Sequence, residues 1–327
     1  MRSEMAYKFK GSGFDVPEEK RKYKEPDKKL REVFEKWFNS LKNHPGFGVA
    51  PSRSYSAEFR RLTNLAYTTT VDDLHALFAI YQDDQARANL LGLFASAFYN
   101  KSDDKIIEFD VQMGENSPEC LAYRLAEDKT IITKADVAGG LGMFSFGTII
   151  NCKKAGNETG EQARGPIINY GEIASIGNTA GPILNYGHIE QIGKYELENF
   201  VINFGTIDAF KGGLAINAGL IKIADSGPDD KHSFIISTRG AVAVVERADV
   251  AIGKLSCKDK DTLILKPNDV KRMPRLEQYL NSICQHLAPG KEDYKYALRA
   301  VKELGPEPKE KIGSILEKML REGGHDV

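Results

Sequence analysis

The sequence predicts a mixed α/β protein in which a short parallel β-solenoid lies between an N-terminal helical region and a C-terminal helical tail. Three observations predict this fold: a short recurring phrase, a change of composition around it, and helical hydrophobic periodicity on both sides. We expect a flexible arm at 1–25, a helical region at 26–104, the solenoid with irregular first and last strands at 105–266, and the tail at 267–327.

The recurring phrase lies in the middle of the chain. Each copy places two apolar residues before an asparagine, then an aromatic or small residue, a glycine, a variable residue and an isoleucine. The copies are Ile167–Ile173, Ile183–Ile189, Val201–Ile207 and Ala215–Ile221, with a looser fifth copy at Ser145–Ile149. Self-similarity of this kind is typical of stacked repeats.

The spacing of the phrase indicates the size of one repeat. Its asparagines, Asn169, Asn185, Asn203 and Asn217, are 16, 18 and 14 residues apart. A strand–helix unit needs about 30 residues, whereas one turn of a parallel β-coil, with rungs about 4.8 Å apart, fits this spacing. An antiparallel meander is the rival geometry, because Asn-Tyr-Gly also resembles a hairpin turn. We prefer the coil because a meander would reverse the phrase on alternate strands.

Composition changes where the phrase occurs. Residues 139–223 contain 13 charged residues in 85 and 16 of the 30 glycines, although 28% of the whole chain is charged. Such a segment is either disordered or stacked, and the regularly placed isoleucines favour stacking.

Helical periodicity precedes the repeats. The first helix follows Pro26 or Asp27. One face of it is apolar: Leu30, Val33, Phe34, Trp37, Phe38 and Leu41. The N-caps expected for three further helices are Ser56, Thr70 and Asp83 or Asp84.

Period-two alternation predicts strands beyond the four phrases. These strands are expected at 106–113, 121–125, 130–133, 233–245, 248–252 and 262–265. Breaks at Pro267 and Pro274 then lead into two amphipathic helices of the tail, and Pro308 lies near the start of a third.

Strand alternation divides each phrase between two faces. We place the first apolar residue and the final isoleucine inside the coil. The asparagines then form a ladder at or near a corner, where each side-chain amide bonds to the neighbouring rung. The glycine beside each asparagine lets the backbone bend there.

The outward face of the phrases is apolar over four rungs. Its residues form two columns: Ile168, Leu184, Ile202 and Ile216 in one, and Tyr170, Tyr186 and Phe204 in the other. An apolar surface of this size is normally covered. We expect this outer-face strip to be covered by the chain's own helices or by another copy of the chain. The alternative is an open aromatic strip that stacks sugars, and the exposure of the three rings discriminates between the two.

One polar pair resembles catalytic chemistry. Glu172 and His188 occupy the same position on neighbouring rungs, as an acid–base pair would. A surface salt bridge is the simpler explanation, and we prefer it.

A second polar group follows the repeats, around residues 227–228. Its members are Asp225, Asp229, Asp230 and His232. Paired carboxylates serve glycoside hydrolysis or hold Ca²⁺, but aspartate, glycine and proline together are also ordinary turn residues, and we favour a turn. We assign no catalytic residue, metal ligand or cofactor.

Overall composition limits the partners. With 45 basic and 46 acidic residues the net charge is −1, so nothing indicates a nucleic-acid or anionic-membrane partner. The four cysteines include no Cys-x-x-Cys pair, residues 1–24 do not resemble a secretory signal, and no apolar run approaches the ~20 residues of a membrane span. We therefore expect a cytoplasmic protein.

These patterns favour a structural or protein-interaction solenoid over an enzyme. We expect it to form a homo-oligomer through its helices and the outer-face strip, with another protein as a further partner. The alternative is a carbohydrate-binding or carbohydrate-active β-helix that uses the three aromatic rings and nearby carboxylates.

Overall fold

A parallel β-solenoid with helical regions before and after it forms the fold in the computed structural model. The predicted fold class is confirmed. The structure describes residues 23–41, 51–113, 115–193, 200–211, 213–225, 234–237, 241–247, 250–252, 263–265, 274–305, 308–312 and 314.

Four of the described helices precede the solenoid. They are α1 (Lys28–Leu41), α2 (Pro51–Leu65), α3 (Val71–Tyr81) and α4 (Gln85–Tyr99). Thr70 and Asp84 cap α3 and α4 as predicted, each accepting a backbone N–H at 3.1 Å. The cap expected at Ser56 is wrong, because α2 begins at Pro51. Proline suits that position, since the first helical N–H has no intrahelical acceptor.

The strands form two sheets in which every described pairing is parallel, so the meander is excluded. Sheet A has the order β1-β2-β4-β6-β8-β10-β12-β14-β16-β17, and sheet B has the order β15-β13-β11-β9-β7-β5-β3. The strands are β1 (Ile106–Phe109), β2 (Thr130–Thr133), β3 (Val137–Gly139), β4 (Thr148–Asn151), β5 (Lys154–Asn157), β6 (Ile167–Asn169), β7 (Glu172–Ile176), β8 (Pro182–Asn185), β9 (His188–Ile192), β10 (Phe200–Asn203), β11 (Thr206–Phe210), β12 (Leu214–Asn217), β13 (Leu220–Asp225), β14 (Phe234–Ser237), β15 (Ala241–Arg247), β16 (Val250–Ile252) and β17 (Leu263–Leu265).

The register of the fifth copy differs from the prediction. Ile149 pairs with Ile167 and Asn151 with Asn169, so the upstream phrase begins at Ile149. Gly147 instead lies in a separate corner that immediately precedes β4. A Cβ added to Gly165, on the next rung, would lie 2.0 Å from the carbonyl oxygen of Gly147. The looser copy assigned to Ser145–Ile149 was therefore shifted along the chain.

A third side, made of turns, joins sheet B to the next strand of sheet A. The strand predicted at 121–125 is wrong, because consecutive turns occupy this segment, closed by Tyr123 N–H to Cys120 O and Leu125 N–H to Ala122 O. The φ values are positive at Cys120, Ala122 and Arg124, at 55°, 61° and 51°. Left-handed backbone costs an L-residue roughly 1–2 kcal/mol, and here stacking on the next rung holds it. The first predicted strand is also shorter, since β1 ends at Phe109.

The N-terminal helices close the starting end of the solenoid. The core of the coil, with Ile149, Ile167 and Ile183, is continuous with the apolar faces of α1–α4. Backbone groups of the first turns are bound by Asn100, the residue that follows α4: its side chain donates to the carbonyl oxygen of Arg124 at 3.0 Å and accepts from the N–H of Ala126 at 2.8 Å. Two backbone groups at the start of the third side are thereby hydrogen-bonded within the chain.

The C-terminal helices lie on sheet A. They are α5 (Pro274–Leu287), a 3-10 helix (Ala288–Lys291) and α6 (Tyr294–Leu304), and residues 308–312 are also helical. Their apolar side chains share one core with the outward face of sheet A.

Candidate functional site

An asparagine ladder runs along the corner between sheets A and B, as predicted. The amide nitrogens of Asn169, Asn185 and Asn203 donate to the amide oxygen of the next rung at 2.9, 2.8 and 2.8 Å. Each nitrogen also donates to backbone carbonyl oxygens, and all four predicted asparagines are fully buried. Buried amides satisfied in this way stabilise the coil and define its register.

The ladder extends further than the sequence indicated. Asn151 donates to the amide oxygen of Asn169 at 2.9 Å, and the hydroxyl of Thr133 donates to the amide oxygen of Asn151 at 3.0 Å. The signal was present in Ile149-Ile150-Asn151, but Lys153 replaces the glycine of the phrase and hid the match.

The glycine two residues after each of the four predicted asparagines lies where neighbouring rungs approach closely. A Cβ on Gly187 would lie 2.2 Å from the carbonyl oxygen of Gly171, and one on Gly205 would lie 2.0 Å from that of Gly187. Their φ values are not among the positive ones. The expected role in backbone bending is therefore replaced by a steric one: at Gly187 and Gly205 the preceding rung is too close for a side chain.

The outer-face strip is buried beneath the tail. Its columns align on adjacent strands, with Ile168, Leu184, Ile202 and Ile216 in register. Ile132 and Ile150 extend the strip upstream, and Ile236 extends it downstream. All seven share a core with Leu280, Ile283 and Leu287 of α5 and with Ala297, Ala300 and Val301 of α6. The strip thus meets the chain's own helices.

The aromatic column anchors those helices. The rings of Tyr170, Tyr186 and Phe204 stack at centroid distances of 5.1 and 5.3 Å, both at 17°. The hydroxyls of Tyr170 and Tyr186 donate to the carbonyl oxygens of Gly290 and Leu287 in the 3-10 turn region. Only 6% and 3% of these tyrosines are exposed, and Phe204 is partly buried. An open platform for stacking sugars is absent from this column.

Burial controls the ionisation of the two anchoring tyrosines. Removal from water raises the pKa of Tyr170 and of Tyr186 well above the ordinary value, with a further increase from a neighbouring tyrosine in each case. Each phenol is therefore a neutral donor to its carbonyl acceptor over the whole physiological pH range.

Glu172 and His188, the polar pair suggested by the sequence, contact different partners. Glu172 and His188 are register neighbours, but Glu172 Oε2 lies 3.5 Å from Lys154 Nζ. His188 Nε2 lies 3.0 Å from Asp208 Oδ1, and Lys222 Nζ lies 2.8 Å from the same oxygen. Burial would raise the pKa of Asp208, but Lys222 and His188 lower it overall. Partly exposed pairs of this kind contribute at most about 1 kcal/mol.

The second polar group lies mostly outside the described residues. Asp229, Asp230 and His232 fall in the undescribed segment 226–233, and Asp225 ends β13 with its backbone in register with Arg247. Among the residues that are described, no three His, Cys, Asp or Glu side chains are grouped to hold a metal ion.

A cavity of about 300 Å³ beside β1 is lined in part by Asp72, Asp104 and Glu108.

Comparison with known proteins gives no relative. No protein-family model matches this chain, and neither the curated proteins nor the solved structures contain a significant match. Within the described ranges, no helix has the length and apolar character needed to cross a membrane.

Proposed function

We propose that the protein is a structural, protein-interaction β-solenoid that associates with a second copy of itself through its C-terminal helices and the outer-face strip. One observation carries this proposal: the strip is apolar on seven consecutive strands of sheet A, and amphipathic helices cover it and exclude solvent. Sheet A therefore acts as a surface built to bind helices.

Repetition makes this surface suitable for exchange between copies. Each rung offers nearly the same apolar side chain, so the tail of a second copy finds the same contacts that it makes on its own chain. Exchange of an identical element is a low-cost route to a dimer. The balance between the closed monomer and the exchanged dimer then depends on protein concentration.

The same geometry gives little support to the alternative function. Sugar recognition needs accessible aromatic faces, and here the two tyrosines are buried against the turn that joins α5 to α6. A catalytic role has no assigned residue, because Glu172 contacts Lys154 and His188 contacts Asp208, so the two do not act on a common site. Cys120 and Cys152 are free thiols, which is consistent with a reducing cytoplasmic location.

A co-refolding experiment tests the association. Tagged and untagged full-length chains are mixed, unfolded in urea, refolded together and recovered on the tag. We expect untagged chain to be retained with the tagged one. Refolding each chain separately before mixing should lower the recovery, because exchange then requires the docked helices to open.

A matched pair of variants assigns the result to the strip. In Gly290→Val the new side chain begins 2.3 Å from the Tyr186 hydroxyl and 2.8 Å from Ala297 Cβ, so the turn is displaced from its own strip and from that of a second copy, and the open monomer is favoured over both. Ala288→Val places the same side chain at an exposed position of the same turn. Recovery should fall for Gly290→Val alone. Absence of untagged chain in the wild-type recovery would overturn the proposal.

A further inference from the structure

An arginine–aromatic patch lies on the third side of the first coils, away from sheet A and its helical cover. We define it as Arg124, Phe144, Phe146 and Arg164. Backbone hydrogen bonds stack these segments: Arg124 N–H donates to Met143 O, Phe146 N–H to Leu125 O and Arg164 N–H to Ser145 O, at 2.8–2.9 Å. Arg124 and Phe144 thus belong to one outward column, and Phe146 and Arg164 to the next.

Both guanidinium groups lie over rings. The Arg124 carbon is 5.6 Å from the centroid of Phe144, and the Arg164 carbon is 5.4 Å from that of Phe146. Phe146 is 49% exposed, which makes it one of the five exposed large apolar side chains among the described residues. Among the described residues, no carboxylate forms an ion pair with either arginine. Arg87, in contrast, is bound to Glu35 at 3.0 and 3.1 Å.

The backbone beneath the patch is in an uncommon conformation. Arg124 and Phe144 have φ values of 51° and 58°, and Gln162, the next residue in their column, has 53°. The same conformation occurs at Cys120 and Ala122, which are buried, so it belongs to the turns of these coils. In the column of Arg124, Phe144 and Gln162 the side chains are exposed or partly exposed.

We propose that the arginine–aromatic patch binds an acidic segment of a partner protein. A guanidinium stacked on a ring keeps its N–H donors at the edge, where a carboxylate accepts two of them. An apolar side chain of the partner covers Phe146. Arginine and aromatic residues are also the types that dominate binding at protein interfaces.

The spacing of the two arginines predicts the spacing of the acidic residues. Arg124 and Arg164 are two rungs and one column apart. A separation of about 4.8 Å per rung places their backbones about 10 Å apart along the solenoid, and both guanidinium groups lie over rings of the rung between them. Acidic residues two or four positions apart lie on the same face of an extended peptide, and their separations of about 7 and 13 Å bracket that distance.

A peptide fits the patch better than a nucleic acid does. Single-stranded nucleic acids need a continuous basic groove along the backbone. The patch contains two arginines, and the whole chain has a net charge of −1. The patch is also independent of helix exchange on sheet A, so either proposal can fail without the other.

A peptide array probed with the labelled full-length protein tests the inference. Each peptide has about ten residues, with two glutamates at spacings of one to six positions and one phenylalanine between or beside them. A second array carries glutamine in place of glutamate, and a labelled fifteen-nucleotide oligo-dT is titrated in parallel. We expect the strongest binding at spacings of two and four, which place both glutamates on one face of the peptide, and none to the glutamine peptides.

Variants of the full-length protein identify the surface. Arg124→Gln with Arg164→Gln should weaken the best peptide at least about tenfold, as expected when two charge-assisted pairs are lost. Arg299→Gln is the matched control, because the Arg299 guanidinium carbon also lies over a ring, 5.5 Å from the centroid of Tyr296. It should leave affinity within about twofold, well below the effect of a lost ion pair. Lack of binding at every spacing, equal loss in the control, or preference for oligo-dT would overturn the proposal.

Discussion

The hydroxyl of Tyr186, on the rung of β8, donates a hydrogen bond to the carbonyl oxygen of Leu287 at the end of α5. Tyr170, one rung upstream, does the same to Gly290. A single column of the repeat therefore stacks its rings along the solenoid and binds the backbone of the tail with its hydroxyls. The outer-face strip is both a surface of the coil and a specific receptor for the helices that cover it.

Removing the two hydroxyls should loosen the tail. Tyr170→Phe with Tyr186→Phe keeps the stack but leaves two buried carbonyl oxygens without these donors, at a cost of about 1–3 kcal/mol each. Urea denaturation measures the loss. Tyr296→Phe, which removes an exposed hydroxyl bonded to His286 O at 2.8 Å, should cost less than about 1 kcal/mol. Equal costs would show that the buried anchors have no special role.

Alkaline pH should act on the same residues. The pKa of each phenol is raised in the folded state by burial, whereas the unfolded value is about 10. Below about pH 10 both phenols are protonated in the folded and the unfolded state, so their full contribution to stability is present. Above it the unfolded chain loses protons first, so the free energy of unfolding falls by up to about 1.4 kcal/mol per pH unit for each tyrosine. Denaturation between about pH 9 and 11 should therefore show a smaller decrease in Tyr170→Phe/Tyr186→Phe than in wild type. Parallel pH dependences would contradict this.

Interrupting the ladder in its middle should cost more than removing its end. Asn185→Ala removes bonds to both neighbouring rungs, at 2.9 and 2.8 Å, and leaves buried partners unsatisfied. We expect a loss of about 2–4 kcal/mol, from more than one unmade hydrogen bond. Thr133→Val removes one terminal donor at 3.0 Å and should cost about 1 kcal/mol. Similar urea midpoints for the two variants would show that the middle of the ladder contributes no more to the free energy of unfolding than its end.

Adding one carbon to the corner glycine should disrupt stacking. In Gly187→Ala the Cβ would lie 2.2 Å from a backbone carbonyl oxygen, so two rungs must separate. A loss above about 2 kcal/mol is expected, as for other overpacked cores. Gly139→Ala is the control, since its nearest atom lies at 3.3 Å and needs only a small adjustment. Thermal unfolding compares the two, and a Gly187→Ala transition as high as that of the control would exclude the steric role.

The solenoid could be predicted because its phrase contains register information. An asparagine between apolar residues identifies the corner, and strand alternation then assigns both faces of each rung. Asn151 was missed because Lys153 interrupts the phrase. The turns at 120–124 were missed because their left-handed positions contain Cys120, Ala122 and Arg124 in place of glycine, so no local signal marks them.

The arrangement of the helices was harder to predict. Amphipathic periodicity shows that a helix has an apolar face, but it does not show which surface that face meets. The helix with Trp37 and the tail helix with Ile283 have equally clear stripes, yet the first joins the core at the start of the coil and the second covers sheet A. That difference depends on contacts distant in sequence.

Sedimentation velocity of the full-length protein, from about 1 to about 100 µM, tests the central claim most directly. Helix exchange over the outer-face strip predicts a species of twice the 36.3-kDa chain mass whose fraction rises with concentration. Gly290→Val should reduce that fraction, and Ala288→Val should not. A single 36.3-kDa species at every concentration would contradict self-association.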